Sequence, residues 1–77
     1  PNPAVDHLIL PAVSMENTKV RVILSDEAGR NVLETEYLSN QPYRWNVPAL
    51  ASGWYSIRIQ SPEGVIGNMK IYIQQGL

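Results

Sequence analysis

Residues 50–59, which read Leu50-Ala51-Ser52-Gly53-Trp54-Tyr55-Ser56-Ile57-Arg58-Ile59, decide the fold that this sequence predicts. After the glycine, Tyr55, Ile57 and Ile59 share one face, and Trp54, Ser56, Arg58 and Gln60 take the other. This period of two, with β-branched and aromatic side chains, indicates a β-strand. Because the second face is largely polar, we expect a half-buried strand in an antiparallel sheet. The Tyr55 ring is expected to cap a core while its hydroxyl bonds nearby backbone, as at the corners of immunoglobulin-like sandwiches.

Five further segments alternate in the same way, at residues 5–10, 19–25, about 30–38, 43–47 and 65–74. The side chains predicted to point inward are Leu8, Leu10, Val20, Val22, Leu24 and Val32. Ile23 is an apolar exception on the outer side of its strand and predicts a partly covered face. The third strand carries apolar groups on both faces, so its register stays open: Glu34 and Glu36 lie on one side and Leu33, Thr35 and Tyr37 on the other. In the last strand one face carries Met69, Ile71 and Ile73, and Gly67 predicts a bulge or a close backbone approach.

Six to seven short strands with turn residues between them, and no helical period, predict an all-β fold: a small antiparallel immunoglobulin-like β-sandwich. The chain of 77 residues has no cysteine, so a single domain over 1–77 relies on its core alone. It opens on Pro1-Asn2-Pro3, which we interpret as the cut end of a larger secreted protein. The net charge of −1 argues against nucleic acid as a partner, and the apolar runs are too short to insert into a bilayer.

Candidate catalytic and metal-binding residues are sparse. His7 is the single histidine, and without cysteine or a second histidine it has no companion for nucleophilic catalysis or metal binding. The pair Asp26-Glu27 lacks the additional oxygen ligands that calcium needs, which favours a solvated turn. Glu34 and Glu36 would stand about 7 Å apart on a strand, but nothing beside them would raise the pKa of either one. We therefore predict no catalytic residue, no cofactor and no metal.

Four aromatic residues raise an alternative in a different class. If several of them shared an outer face, they would form a flat platform for sugar rings, as in a carbohydrate-binding or fibronectin-like accessory module of an extracellular hydrolase. For Trp45 the pattern favours burial in the core, whereas for Trp54 core and surface remain equally open. The four residues are Tyr43, Trp45, Trp54 and Tyr72.

Several short motifs occur in a fixed order along the whole chain. Asn2-Pro3-Ala4 opens it, Asp6-His7-Leu8 follows, and residues 26–32 read Asp-x-x-Gly-Arg-x-Val. Residues 50–55 then read Leu-x-x-Gly-x-Tyr, and Gly64 and Lys70 close the order. In this order the motifs resemble the C-terminal sorting domain of the type IX (Por) secretion system of Bacteroidetes. One departure is that Pro48 stands two residues before Leu50, where the family often has Leu-Pro-x-Gly. The matching positions that we assign to the motif are Asn2, Pro3, Asp26, Gly29, Val32, Leu50, Gly53 and Tyr55.

The resemblance implies an address label rather than an enzyme. Such domains end secreted proteins, cross the periplasm folded and are recognised at the outer-membrane translocon. A sortase-like protease then commonly removes them, while the cargo is attached to the cell surface or released to the medium. Recognition would then lie on exposed strand edges and the last hairpin, for which we select Gly64, Lys70, Ile71 and Ile73. Exposed edges also allow self-association of the domain.

Overall fold

The computed structural model describes residues 7–48 and 50–74, and this part of the chain is built from β-strands alone. A four-stranded antiparallel sheet has the order β3-β2-β5-β6, and a two-stranded sheet pairs β1 with β4. The predicted all-β antiparallel sandwich is therefore confirmed. No helix long and apolar enough to cross a membrane is present in the described part. The strands are β1 (His7–Leu10), β2 (Lys19–Asp26), β3 (Asn31–Leu38), β4 (Tyr43–Asn46), β5 (Gly53–Ser61) and β6 (Gly64–Ile73).

The core lies between the two sheets and is supplied by the alternating positions that the sequence predicts. Strand β2 pairs with β5 so that Val22 stands opposite Ile59 and Leu24 opposite Ile57, and all four side chains are at most 1% exposed. Leu8 and Leu10 of β1 also face this core, as predicted. From the two-stranded sheet and the residue after it, the other main core side chains are Trp45 and Val47.

The outer face of the four-stranded sheet is exposed to solvent except at its centre. Ile23 is 8% exposed there, between Glu34 on β3 and Arg58 on β5 in the register of the sheet. Directly opposed side chains lie about 5 Å apart at their Cβ atoms, so these two long neighbours can cover it. The predicted partly covered face is thus confirmed at this position.

The inward position predicted for Val32 is wrong. Leu24 pairs with Leu33, but the next residue of β2, Ser25, pairs with Asn31, so Val32 is an extra residue in a β-bulge. Its side chain is 36% exposed. Leu33, Thr35 and Tyr37 stand opposite the buried Leu24, Val22 and Val20 and face the core, so Val32 lies on the other side with Glu34 and Glu36.

A second irregularity lies in β6, where Gly67 predicts a bulge or a close approach. Ile59 pairs with Gly67 but Gln60 pairs with Val65, so Ile66 is the extra residue. A Cβ added at Gly67 would lie 3.5 Å from Cδ1 of Ile59. The predicted bulge is confirmed, and the contact at Gly67 is an ordinary van der Waals contact with a side chain rather than a close backbone approach.

Buried Ser39, just after β3, fastens the loop between β1 and β2. Its carbonyl oxygen accepts hydrogen bonds from the N–H groups of Val13 (2.8 Å) and Ser14 (3.1 Å). Its hydroxyl donates to the carbonyl of Glu16 and accepts from the N–H of Thr18 (3.1 Å). The loop crosses the end of the sandwich without regular pairing, and these bonds hold it there. The predictions for residues 2, 3, 5, 6 and 75–77 lie outside the described residues.

Candidate functional site

The Asp-x-x-Gly-Arg motif forms the turn between β2 and β3. Oδ1 of Asp26 accepts hydrogen bonds from the backbone N–H groups of Ala28 (3.0 Å) and Arg30 (2.9 Å), and Oδ2 accepts one from Nε of Arg30 (3.0 Å). Gly29 has φ of 85°, a conformation that glycine adopts without steric cost. The backbone hydrogen bond from Arg30, helped by the charge of its guanidinium, lowers the pKa of Asp26. The carboxylate is thus held by the turn itself and has a structural role.

The second motif, at residues 50–55, starts β5. The hydroxyl of Tyr55 donates to the carbonyl of Ala51 at 2.7 Å while its ring lies in the core, so the predicted tyrosine corner is confirmed. Leu50 is half-buried and packs against the same core. The two motifs meet at one end of the sheet, because Asp26 and Tyr55 are register partners and Oε1 of Glu27 accepts a hydrogen bond from the N–H of Trp54 at 3.4 Å.

The hairpin that joins β5 to β6 lies at the opposite end of β5 from these two motifs. Ser61 pairs with Gly64, and the hydroxyl of Ser61 accepts a hydrogen bond from the N–H of Glu63 at 3.2 Å and donates to the carbonyl of Gly64 at 3.3 Å. Gly64 has φ of 135°, which residues with a side chain rarely adopt. The predicted turn over residues 61–64 is confirmed.

The four predicted recognition residues are spread along β6 and do not form a pocket. Gly64 begins the strand, and Lys70 lies six residues further, which is about 20 Å in an extended chain. Lys70 is exposed on the outer face opposite Ser56, whereas Ile71 is half-buried on the inner face opposite Tyr55. Ile73 is 1% exposed, so its side chain belongs to the core.

The aromatic residues divide into two groups. Trp45 is 5% exposed, and Tyr43 stacks on Tyr37 with ring centroids 5.4 Å apart, so both belong to the core side of the sandwich. Trp54 and Tyr72, each about half-exposed, meet edge to face on the outer side at 5.3 Å. The favoured burial of Trp45 is confirmed and Trp54 is at the surface. Trp54 and Tyr72 thus share the outer face, but their rings meet at 69° and do not form the flat platform of the carbohydrate-binding alternative, which nothing else supports.

Beside Trp54 an open groove of about 720 Å³ runs from the turn between β2 and β3, where Asp26 and Glu27 line it, across to Arg58 on β5 and Lys70 on β6. In the register of the sheet, Ser56 is opposite Lys70 and Arg58 is opposite Asn68. Sequence reasoning did not single out Arg58 or Asn68, because alternation alone shows only that they face outward. They could have been found from the register of β5 with β6, which the hairpin turn determines and which places them beside Lys70.

The remaining candidate residues lie apart from one another. His7 begins β1, and its Nδ1 is 3.5 Å from Nη2 of Arg44. Glu34 and Glu36 are exposed on the outer face of β3, as predicted for a solvated pair. Within residues 7–48 and 50–74, no cluster of three or more His, Cys, Asp or Glu side chains could hold a metal ion.

The fold defines the class of small antiparallel β-sandwich domains, and because a fold alone does not fix a function, the family must come from comparison of the whole chain. Comparison with protein-family models matches residues 1–74 to the secretion system C-terminal sorting domain, and the chain belongs to that family. It is a sorting signal of type IX secretion, which directs export to the cell surface or the extracellular medium and interacts with the secretion machinery. Comparisons with curated proteins and with solved structures gave no significant match.

Proposed function

We propose that residues 1–77 form a single, non-catalytic sorting domain at the C-terminus of a larger secreted protein. The observation that supports this most strongly is the family match over residues 1–74. After translocation, a sortase-like protease of the outer membrane removes the domain and the cargo is attached to the cell surface. The geometry agrees with a binding role, since the Asp26 carboxylate is occupied by its own turn and the other acidic candidates lie on an open surface.

The recognised surface in this proposal is β6 with its hairpin, through Gly64, Lys70, Ile71 and Ile73. Lys70 is the member whose side chain is free for a partner, because it is exposed and the ion pair found among the described residues joins Arg30 to Asp26 instead. Gly64 contributes the hairpin geometry. The buried Ile73 fixes the end of the strand in the core, so it acts through the backbone position of β6.

The test is a fusion of residues 1–77 to the C-terminus of a fluorescent protein that carries a signal peptide, expressed in a host with this secretion system. We expect fluorescence at the surface or in the medium in the wild-type host, and periplasmic fluorescence in a translocon-deficient strain. Periplasmic retention in both strains would contradict the sorting role. Mass spectrometry of the exported fusion should show loss of the domain, whereas an intact C-terminus would contradict proteolytic removal.

The chain offers a matched control for the recognition surface. It contains two lysines, Lys70 and Lys19, and both are exposed on strands of the same sheet. Lys70→Ala is expected to reduce export of the fusion, while Lys19→Ala, with the same change of net charge, leaves it unchanged. Equal export of both variants would remove Lys70 from the recognised surface.

A further inference from the structure

Strand β6 is an open edge of the four-stranded sheet. It is the longest strand, with ten residues, and within the described residues it pairs only with β5. Its second row of backbone N–H and C=O groups therefore faces outward as a template for another strand. Four of its side chains are exposed and apolar or aromatic: Val65 (55%), Ile66 (45%), Met69 (39%) and Tyr72 (53%).

The other strand edges of the described structure carry the features that normally prevent pairing. Strand β3, the opposite edge, has the bulge at Val32 and two exposed carboxylates on one face. Strands β1 and β4 are four residues long, and Pro11 follows β1 while Pro42 precedes β4. Bulges, charges, prolines and short strands all block edge-to-edge association. Strand β6 also has a bulge, at Ile66 near its hairpin end, but from Gly67 to Ile73 it pairs regularly with β5, has no proline and carries Lys70 as its one charged residue.

The two faces of β6 differ in what they would offer to an added strand. On the outer face Lys70 of β6 is paired with Ser56 of β5, and the next outward pair joins Asn68 to Arg58. Lys70 and Arg58 are therefore diagonal neighbours on adjacent strands. Neither cation is within ion-pair distance of a carboxylate among the described residues. On the inner face Met69 and Ile71 are incompletely covered, because two strands of the smaller sheet lie against four. One face thus favours an acidic side chain and the other favours apolar ones.

We propose that β6 binds an extended segment of a protein partner as an added strand of the sheet. The segment carries an acidic side chain at the position beside Lys70 and apolar side chains, one residue to either side, that pack on Met69 and Ile71. Side chains of a strand alternate between faces, so this pattern fixes the register of the added strand. That the segment belongs to the secretion machinery rests on the function proposed above; the strand addition rests on the geometry of β6.

A second copy of β6 fits this site less well than a partner of that chemistry. The strand contains no acidic residue, so two copies paired edge to edge would supply no carboxylate for either Lys70. Opposite charges across strands stabilise pairing, and like charges directly opposite destabilise it. Charge complementarity therefore selects the acidic partner strand.

The test uses the fluorescent fusion and a short synthetic peptide in which valine and threonine alternate and one central threonine is replaced by glutamate. Lys70→Glu should weaken binding of this peptide about tenfold, from the change of an attractive cross-strand pair to a repulsive one. A peptide with lysine in place of glutamate should prefer the Lys70→Glu variant by a similar factor. Lys19→Glu, with the same change of net charge, should leave both affinities unchanged. Equal effects of the Lys70 and Lys19 variants, or no restoration by the exchanged charges, would overturn the proposal.

Disulfide formation tests the strand geometry, since the chain has no cysteine of its own. Asn68→Cys should crosslink to peptides with cysteine at a threonine position, and Met69→Cys to peptides with cysteine at a valine position, but not the reverse. A peptide lying flat on the outer face would crosslink to Asn68→Cys alone and would contradict strand addition. So would a concentration-dependent dimer with β6–β6 crosslinks, in which a second copy occupies the edge.

The two proposals fail separately in these experiments. An exported fusion that shows neither the charge exchange nor the alternating crosslinks would overturn strand addition and leave the sorting role intact. A fusion that shows both peptide results but stays in the periplasm would contradict the sorting role and leave the strand site of β6 standing.

Discussion

The hydroxyl of Tyr55 holds the start of β5 to the residues before it, through its 2.7 Å hydrogen bond to the carbonyl of Ala51. Tyr55→Phe keeps the buried ring and removes this bond, so the free energy of unfolding should fall by about 1 kcal/mol. Urea denaturation measures the change. Tyr72→Phe is the control, because the Tyr72 hydroxyl has no hydrogen-bond partner among the described residues, and it should leave the unfolding midpoint unchanged. Equal effects of the two substitutions would show that the corner bond does not stabilise the fold.

The carboxylate of Asp26 makes folding depend on pH at the acidic end. Its pKa is lowered in the folded state, chiefly by the backbone hydrogen bond from Arg30 and then by the Arg30 charge. A lowered pKa adds stability above the unfolded pKa, near 3.8, that is lost as the pH falls through the folded value. Asp26→Asn should therefore be less stable than the wild type at pH 7, and the difference should shrink as the pH falls below that range. Thermal unfolding across pH measures this, and a stability difference between the two proteins that stays constant as the pH falls would contradict the role of the carboxylate.

Among the elements, the strands that could be predicted are those whose two faces differ in polarity. In β2 and β5 one face is almost wholly apolar, so alternation alone identifies the buried side. In β3 both faces carry apolar groups, and Val32 lies on the exposed side with Glu34 and Glu36, while the bulge there changes the pairing of Asn31. A bulge depends on the partner strand, and a single strand's pattern does not contain that information. The same limit explains why Lys70 could be singled out from the sequence but its neighbour Arg58 could not.

The hairpin before β6 is the element whose geometry a single residue controls. Gly64 has φ of 135°, and no atom lies within 4 Å of a Cβ added there, so strain and not crowding opposes a side chain. Gly64→Ala should lower the free energy of unfolding by about 1–3 kcal/mol. Glu63→Ala in the same turn leaves the backbone bond from Glu63 N–H to Ser61 possible and should change stability little. Denaturant unfolding of both variants measures the difference, and an equal loss would show that the turn tolerates either conformation.

At the scale of the whole molecule, the sandwich depends on a few side chains that join a small sheet to a larger one. Leu10, Trp45 and Val47 all reach the core from the two-stranded side, and each is at most 6% exposed. Their partners are the apolar rows of β2 and β5 on the four-stranded sheet. With no disulfide, and a total stability of about 4–12 kcal/mol expected for this length, loss of one such anchor affects the entire domain.

The two tryptophans separate the contribution of the core from that of the surface. Trp45→Ala removes a ring that is 5% exposed and should cost about 3–5 kcal/mol, a large part of the total stability. Trp54→Ala removes one that is 51% exposed and should cost less than about 1 kcal/mol, measured by urea unfolding of each variant.

The same two variants, tested in the export assay, show whether the secretion machinery recognises the folded sandwich. Surface fluorescence should be lost with Trp45→Ala and retained with Trp54→Ala. Full export of an unfolded Trp45→Ala domain would mean that recognition needs only an unfolded segment, and strand addition at the folded edge of β6 would then no longer explain sorting.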